Sequence, residues 1–571
     1  MKVLQPSSAL NLVSWTSLVL VVGVRSHEKE SAKDMSLPSP AVAEPTPATT
    51  YFQLEDHSLL ILTHILFMTI GWVFILPIAV VFSIARSCHA LLTQLIFVLL
   101  NSIAIVVVVV YNARTPDLYP NNIHHRLGWW LTSVVCIHVV VGVTRRYRGG
   151  VTKDVEGSIE EWGSFIPVSI TEIAEHQRLP DISEDGYRFS NDSGQGTERN
   201  TESLRSQSIS SEGTDALLSS DIRCDFENGQ MEDGEKGAVA GNGRISHFLS
   251  RIYPSLCFAR ATVVLGVLYS IINRVILLFA FVALTTGAVT YGGLFMGNEV
   301  YNGLAHFIKG GVFFWYGILT LGRWAGCFAE IGWAWNLNPS NAQKVYQPSA
   351  EFFESFLIFL YGSTNVFLEH LAAWGGEWTA QDLEHVSITI MFFGGGLCGM
   401  LIESTRIRDI LNTPISQLST AHSRLEKPPS YKISMNPLPA LIILLLGLMM
   451  SSHHQHSMIS SMIHKQWGTL LAGAALSRTL TYIIFYLAPP TSIFPSRPPT
   501  ELITAFCLMA GGLIFMASSK DIVAVIESYN LDAMFVFTVA MGIITLLMAW
   551  VVLVIAIKGW AVRKERASSF N

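Results

Sequence analysis

Long apolar segments recur along most of this chain, and they restrict it to one class of fold. Each is about 18 residues or longer, the length that a helix needs to cross a hydrocarbon core about 30 Å thick. The strands of a membrane β-barrel would alternate between apolar and polar residues, and these segments do not. Only 14% of the residues are charged, against about 25% in soluble proteins. We therefore predict an all-α polytopic membrane protein with no soluble catalytic domain.

The segments predict about eleven transmembrane helices in two groups. A polar segment, 149–255, separates a three-span unit, 58–148, from an eight-span domain, 256–560, which a short basic tail, 561–571, follows. The fourth segment is too long for a straight span and contains Arg274. The predicted spans lie near residues 58–84, 90–111, 126–144, 261–292, 303–324, 353–373, 385–402, 438–456, 466–487, 501–518 and 533–557.

The N-terminal 26 residues have the features of a signal peptide. A lysine at position 2 precedes an apolar stretch. Val24 and Ser26 occupy the −3 and −1 positions of a possible cleavage site after Ser26. An uncleaved signal anchor is the alternative. The segment 27–57 is rich in proline, alanine, serine and threonine, which predicts a disordered lumenal or extracellular linker. The acidic, serine-rich segment 149–255 predicts a disordered cytosolic loop, with serines that phosphorylation could modify.

The charge distribution predicts the orientation in the membrane. A cleaved signal and an odd number of spans place the N-terminus outside and the C-terminus in the cytosol. The positive-inside rule gives the same result. The basic clusters concerned are Arg145, Arg146 and Arg148, then Arg406 and Arg408, then Lys558, Arg563, Lys564 and Arg566. We expect an integral protein of the secretory pathway, in the plasma membrane, the vacuole or an endomembrane.

Composition also excludes several kinds of partner. The net charge is −6, and the basic residues lie at span ends rather than in one patch, which excludes a nucleic-acid partner. The run Gly394–Gly396 lies inside an apolar segment, where glycines serve helix packing, so no ATP-binding loop is predicted. The seven cysteines are scattered without a Cys-x-x-Cys motif, which indicates small apolar packing residues rather than a disulfide or zinc framework.

Histidines in the three-span unit suggest haem ligation. His124 and His138 are fourteen residues apart, which puts them on nearly the same face of one helix about 21 Å apart. One helix could thus serve two stacked haems. The topology allows His64 to pair with His124 near the outer side and His89 to pair with His138 near the cytosolic side. Hydrogen bonding between helices is the alternative role for such residues.

The same region resembles the ascorbate-reducible transmembrane b-type cytochromes. The similarity rests on the run from His64 through Met68 and Gly71-Trp72 to Pro77, on His89 with Gln94, and on His124-His125-Arg126-Leu127-Gly128-Trp129. It implies b-type haem, transmembrane electron transfer and an electron donor on the cytosolic side. His64, His89 and His124 match the first three ligand positions of the family. The fourth is not recognisable after the long loop, so His138 would have to replace it.

Imidazoles and carboxylates gather at the predicted outer ends of five spans in the eight-span domain. Such groups suit zinc, iron or, with the neighbouring methionines Met458 and Met462, copper. They also suit a proton relay, and a hydrogen-bonded interface between span ends is the third interpretation. By contrast, we expect Lys309, Arg323, Arg478 and Glu403 to be structural partners or boundary anchors. The candidate metal ligands are His306, Glu369, His370, Asp382, His385, His453, His454, His456 and His464.

The eight-span domain is similar to the C-terminal region of the fungal YTP family of membrane proteins. The matching stretches are Leu304 to Gly311, Gly322-Arg323-Trp324, Gly332-Trp333-Ala334-Trp335-Asn336, Glu369-His370, Asp382 to His385, His453 to His456 and Lys465 to Gly468. This resemblance implies a family and only a general likeness to electron-transport membrane proteins.

Several functions therefore remain open at the level of sequence, and no substrate or enzyme activity is assigned. The first is electron transfer through haem coupled to a metal site on the outer face. The second is a metal-ion or proton transporter that uses the same outer cluster. A metal-dependent hydrolase would need a carboxylate to activate metal-bound water, and no nucleophile motif supports one. A purely structural role is the remaining alternative.

Overall fold

A computed structural model of the chain describes residues 50–148, 257–339, 348–365, 377–416, 431, 433–452, 455 and 457–569. Within these ranges the secondary structure consists of helices joined by turns and loops, with no β-strand. The predicted signal peptide, most of the linker and all of the acidic loop, 149–255, lie outside them. Met1–Gly157 and Ser255–Asn571 form one compact unit, separate from Ser158–Pro254, so both groups of spans belong to the same unit.

The predicted three-span unit consists of three long helices. The first contains a π-helical turn, Ile70–Ile75, which interrupts the regular hydrogen-bond pattern in the middle of the span. The helices are α1, Ser58–Ile84; α2, Ala90–Arg114; and α3, Ile123–Arg148.

In the described part of the eight-span domain there are ten α-helices, two of which are short. In chain order they are α4, Cys257–Gly292; α5, Val300–Ala325; α6, Ala350–Asn365; α7, Ala380–Glu403; α8, Thr405–Ser416; α9, Leu438–Ser452; α10, Met458–Leu487; α11, Pro499–Ala517; α12, Lys520–Ser528; and α13, Ala533–Ser569.

Nine helices in the described ranges are long and apolar enough to cross a membrane, which confirms the helical membrane class. The other two predicted spans fall on α6, described over Ala350–Asn365, and on the shorter apolar helix α9. One boundary prediction was wrong. We expected Met458, Met462 and His464 to precede the ninth span, but all three lie inside α10. The serine at position 457 caps the helix there by accepting a hydrogen bond from the backbone N–H of Ser460.

Glycines allow the helices of the eight-span domain to pack at backbone distance. A Cβ atom on Gly310 of α5 would lie 2.6 Å from the carbonyl oxygen of Gly512 in α11, and the reverse substitution would give 2.5 Å. Gly447 of α9 and Gly468 of α10 are related in the same way. A Cβ atom on either glycine would lie 2.6 Å from the carbonyl oxygen of the other. Small residues at such crossings are the usual means of packing helices in lipid, where no hydrophobic force drives helices together.

The α1 helix also contacts the last helix of the chain. The indole Nε1 of Trp550 in α13 donates to the carbonyl oxygen of Val73 at 3.0 Å. Val73 lies within the π-helical turn. In such a wider turn the regular i to i−4 hydrogen bonds are interrupted, so a backbone carbonyl can accept a bond from another helix. The ring of Trp550 also packs edge-on against Phe74 at 5.2 Å between centroids.

The helices alternate in direction, so their termini form two ends of the bundle. We call one the histidine end, where α5, α7 and α10 begin and carry His306, His385 and His464 in their second turns. We call the other the ion-pair end, where α6 and α11 begin and where Arg323 lies at the end of α5.

Candidate functional site

Three predicted histidines come together at the histidine end. His306 interacts electrostatically with His385 and with His464, so α5, α7 and α10 each contribute one imidazole. The Nδ1 atom of His306 is 2.9 Å from the carbonyl oxygen of Asn302, and that of His464 is 2.8 Å from the carbonyl oxygen of Ser460. Each ring is thus oriented by its own helix, four residues back.

Apolar and polar neighbours complete this end. The His306 ring packs edge-on against Phe515, and the His464 ring lies 6.0 Å from that of Trp467. Asp382, another predicted ligand, lies on the same helix as His385, as expected for their spacing. Asp382 forms a capping box, because its carboxylate accepts from the backbone N–H of Thr379 at 2.9 Å while its own N–H bonds to the Thr379 hydroxyl.

The predicted metal site is only partly covered by the structure. Among the ranges that it describes, no three His, Cys, Asp or Glu side chains form a group that could hold a metal ion. The metal site therefore stays a prediction. Five of its residues lie outside the described ranges: Glu369, His370, His453, His454 and His456.

The outer pair of predicted haem ligands lies close together in the three-span unit. His64 is buried in α1, with Nδ1 2.9 Å from the carbonyl oxygen of Ala104. His124 at the start of α3 interacts electrostatically with His64, and its Nδ1 is 3.3 Å from the hydroxyl of Thr286 in α4. A Cβ on Gly287 would lie 3.0 Å from the His124 ring, so this glycine lets α4 approach the imidazole closely.

The inner pair has separate surroundings. His89 precedes α2 and stacks on Trp560 of α13, with 6.1 Å between ring centroids. His138 in α3 stacks on Tyr269 of α4 at 4.1 Å, with its Nδ1 buried and unbonded among the described residues. A cavity of about 20 Å³ adjoins His138 and is lined by Gln94 and Asn273 as well as by apolar residues, which is room for one water molecule.

A cluster of buried charged side chains lies at the ion-pair end in the described part of the chain, and its carboxylates were not predicted. Arg323 donates from Nη1 to Glu354 Oε1 at 2.7 Å and from Nη2 to Glu351 Oε1 at 2.9 Å. Its Nε donates to the carbonyl oxygen of Trp333 at 2.8 Å. The three charged side chains are at most 5% exposed, so the two carboxylates of α6 hold the guanidinium of α5 in place away from water.

A second arginine extends this network to α11. Arg478 of α10 lies 3.4 Å from both carboxylate oxygens of Glu354. On its other side, Arg478 Nε lies 2.7 Å from Glu501 Oε1, an ion pair outside hydrogen-bond geometry. The buried hydroxyl of Thr481 donates to the same Glu501 oxygen at 2.9 Å. Glu501 is completely buried. We call these five side chains the ion-pair network: Arg323, Glu351, Glu354, Arg478 and Glu501.

Aromatic side chains and two loops close the network off. The Trp335 ring lies 4.7 Å from the guanidinium carbon of Arg323 and 5.3 Å from that of Arg478, within cation–π range of both. The Tyr316 hydroxyl hydrogen-bonds to Glu354. Asn336, in the loop after α5, donates to the carbonyl oxygen of Ile493 in the loop after α10 at 2.7 Å, which joins the two covering loops.

The contacts of the two arginines agree with one of the roles expected for them. Arg323 and Arg478 were expected to be structural partners or boundary anchors, and both are ion-pair partners of buried glutamates. Their carboxylate partners Glu351, Glu354 and Glu501 were overlooked. One signal in the sequence could have found them, because an arginine within an apolar segment needs a counter-ion. Glu351 and Glu354, three residues apart, present the matching charges on one helix face.

Glu403 and Lys309 were placed in the same group of anchors. Glu403 accepts hydrogen bonds from Ser349 at 2.7 Å and from Ser434 at 2.8 Å, so it joins the starts of α6 and α9 to the end of α7. Lys309 lies one turn after His306 on α5 and interacts electrostatically with it. The role expected for Glu403, a structural partner, agrees with these contacts.

An apolar layer separates the two ends along the same helices. His306 and Arg323 both lie on α5, and His464 and Arg478 both lie on α10. Between them, Trp467 and Leu471 are buried in the largest apolar core cluster, with the ring of Phe515 stacked on Trp467 at 4.3 Å. Two helices therefore carry an imidazole towards one end and a buried guanidinium towards the other, across a packed core.

Comparison with known proteins identifies the family. The YTP1-like C-terminal family model matches residues 279–559, and a domain of unknown function, DUF2427, matches residues 46–148. The two matches lie on either side of the predicted acidic loop, 149–255. No solved structure is significantly similar to this chain.

Relatives in two yeasts support the same assignment. The uncharacterized membrane protein C3B8.06 of Schizosaccharomyces pombe is 33% identical over 88% of this chain and 94% of its own length. The uncharacterized membrane protein YCR061W of Saccharomyces cerevisiae is 40% identical over 54% of this chain and 51% of its own. Protein YTP1 of the same yeast is 26% identical over 38% of each chain. The similarity to the YTP family that the sequence indicated is confirmed, and the chain belongs to the YTP1-like family of membrane proteins.

Proposed function

We propose that the eight-span domain moves protons across the membrane. The main support for this proposal is the arrangement of α5 and α10. Each helix has an imidazole at the histidine end and an arginine of the ion-pair network at the other end. Ionisable groups are expensive inside a membrane and are usually retained because they serve an ion pathway or a proton relay. Here they occur at both ends of the same two helices.

The chemistry of the two ends suits a proton more closely than a metal ion. Imidazole gains and loses a proton near neutral pH, and His306 has neighbouring imidazoles on α7 and α10. The ion-pair network offers three carboxylates as proton acceptors. The apolar layer around Trp467 and Leu471 would prevent a continuous water file, so transport would need the helices to move.

Proton flux in proteoliposomes tests this proposal. The purified protein would be reconstituted with an enclosed pH-sensitive dye, and an outward proton gradient would be imposed together with a potassium ionophore for charge balance. We expect wild-type protein to dissipate the gradient faster than protein-free vesicles. His464→Ala should slow the decay, whereas His57→Ala, which removes an exposed histidine outside the bundle, should not. Decay equal to that of empty vesicles would overturn the proposal.

A metal ion is a second cargo or ligand to be tested on the same preparation. The predicted zinc, copper or iron site includes His306, Asp382, His385 and His464 together with residues outside the described ranges. Metal content would be measured on the purified protein, and flux would be repeated with a metal-sensitive dye. Stoichiometric metal that is lost in His385→Ala would support a metal site at the histidine end.

A redox role for the three-span unit is the second candidate function. Its specific support is that Nδ1 of His64 and of His124 each lies beside an oxygen atom, Ala104 O and Thr286 Oγ1. Histidines that ligate a metal through Nε2 commonly donate Nδ1–H to such an oxygen. On this proposal, His64 and His124 would be the axial ligands of a b-type haem. The water-sized cavity beside His138 is far smaller than a porphyrin, so this proposal concerns the outer pair.

Optical spectra distinguish the redox role from transport alone. The protein would be expressed with sufficient haem and purified in mild detergent. Its visible absorption spectrum would be recorded in the oxidised and dithionite-reduced states. We expect a Soret shift and a sharp α-band, both lost in His64→Ala and kept in His125→Ala, where the exposed neighbouring imidazole is removed. A colourless wild-type protein would refute haem binding and leave the transport proposal untouched.

A further inference from the structure

The ion-pair network has one more acidic than basic side chain. Two guanidiniums, Arg323 and Arg478, face three carboxylates, Glu351, Glu354 and Glu501. With every group ionised the site would carry one net negative charge. Residues of this network are at most 5% exposed, and an unbalanced charge in such surroundings is strongly unfavourable. One positive charge is therefore needed to complete the site.

The carboxyl of Glu501 is the group in the network that lacks part of its positive or hydrogen-bonding neighbours. Its Oε1 is shared by Arg478 and Thr481, whereas its Oε2 is buried and has no hydrogen-bond partner in the part of the chain that the structure describes. Glu354, by comparison, is contacted by both arginines and by Tyr316. Both arginines interact electrostatically with Glu501. The other charged and titratable side chains that interact with these arginines are Tyr316 of α5, Glu351 and Glu354 of α6, and Tyr482 of α10.

A proton fits this position better than a metal cation. A bound sodium, magnesium or calcium ion needs several oxygen ligands around it. A cavity of about 10 Å³ beside Arg478 is lined mainly by apolar side chains such as Ala474, Ala475 and Leu508. A proton needs no coordination shell and neutralises Glu501 directly.

A pair of hydroxyls connects Glu501 with the edge of the network. Thr481 Oγ1 lies 2.6 Å from Thr500 Oγ1 as well as 2.9 Å from Glu501 Oε1. Thr500 is half-buried at the start of α11, next to the loop that covers this end. Because a hydroxyl can donate one hydrogen bond and accept another, the order Thr500, Thr481, Glu501 forms a short route for a proton.

We propose that Glu501 carries one exchangeable proton, delivered through Thr500 and Thr481, and that it is the proton-binding carboxyl of the transport pathway. This inference rests on the proposed proton-transport function and assigns its acidic site. Release of the proton would leave Glu501 as a carboxylate beside Arg478 and would give the network its net negative charge. The helices that contribute to the network would then respond to the protonation state of one residue.

Infrared difference spectroscopy of the full-length protein in vesicles tests the proton directly. Spectra at high and low pH would be subtracted to reveal the carbonyl stretch of a protonated buried carboxyl. We expect this band in the wild type, its loss in Glu501→Gln, and its retention in Glu403→Gln. Glu403 is the matched control because serines donate to both of its oxygens. Absence of the band from the wild type, or its persistence in Glu501→Gln, would overturn the inference.

A kinetic comparison keeps the inference testable if Glu501→Gln fails to fold. After a rapid pH jump, Thr481→Val should slow the appearance of the band by about a hundredfold, the lower range for a positioned proton-transfer group. Thr504→Val is the control, because that buried hydroxyl donates only to the backbone carbonyls of Thr500 and Ala474. Equal rates in the two variants would overturn the hydroxyl route.

The flux assay separates this inference from the proposed function. A Glu501 band without proton flux in the vesicles would refute transport and leave the proton site standing. Proton flux that is unchanged in Glu501→Gln would refute Glu501 as the carrier and leave transport standing.

Discussion

Arg323 and Glu354 bind each other inside the helix bundle, with 2.7 Å between Nη1 and Oε1 and side-chain exposures of 3% and 4%. The two residues come from α5 and α6, which a segment partly outside the described ranges separates along the chain. Glu354 also contacts Arg478 of α10. One carboxylate thus joins three helices, and its removal would leave two guanidiniums with fewer counter-ions.

Glu354→Gln is expected to destabilise the folded protein by about 3–5 kcal/mol, the usual cost of removing one partner from a buried ion pair. The physical reason is that a buried guanidinium cannot regain water when its counter-ion is lost. Thermal denaturation in detergent, followed by size-exclusion chromatography of the soluble fraction, measures the effect. The control is Glu299→Gln, which breaks an exposed pair with Lys520 and should change stability by at most about 1 kcal/mol. Equal melting temperatures for the two variants would contradict this account.

Gly310→Ala is expected to destabilise the contact between α5 and α11 by about 1–3 kcal/mol, as overpacking commonly does. The added methyl would lie 2.6 Å from the carbonyl oxygen of Gly512, and neither backbone can move without shifting its helix. Gly542→Ala in α13 is the matched control, since no atom lies within 4 Å of its Cβ position. The same melting assay applies, and a neutral Gly310→Ala would show that the helices are not packed at this distance.

Trp550→Phe should cost about 1 kcal/mol through loss of one hydrogen bond. The phenyl ring can keep the contact with Phe74, but it cannot donate to the carbonyl oxygen of Val73. Trp130→Phe, at an exposed ring packed against Phe279, should have a smaller effect. If limited proteolysis and melting detect no difference between the two variants, the link between α1 and α13 does not depend on this bond.

The predicted orientation can be tested through glycosylation. The acidic loop contains the sequon Asn191-Asp192-Ser193, which should remain unmodified if the loop is cytosolic, because glycosylation marks surfaces exposed to the secretory lumen. A sequon introduced into the segment 27–57 should be used. Gel electrophoresis before and after endoglycosidase treatment would show whether each of the two sequons is glycosylated. Sugar on Asn191 would reverse the predicted orientation of the whole protein.

Much of the fold could be predicted because a membrane imposes its own length scale. The first predicted span, 58–84, has the same bounds as α1, Ser58–Ile84. Boundaries failed where polar residues extend a helix beyond its apolar part. At α10 the segment with Met458 and His464 extends the helix by about two turns before the predicted span. The polar residues in this segment kept it outside the span predicted from hydropathy. The prediction of a YTP-type protein held for the same reason as the spans, since both depend on local residue patterns.

Some features of the candidate site follow from the sequence, and others depend on the tertiary structure. Apolar segment lengths determined the class of fold, and the isolated histidines and arginines within them marked residues that need partners. Which partners they have depends on helices far apart in the chain, such as Glu354 with Arg478, 124 residues away. The buried, unbalanced charge at Glu501 emerges only when α5, α6, α10 and α11 pack together. Burial is a property of the packed bundle, and burial is what makes a surplus carboxylate chemically significant.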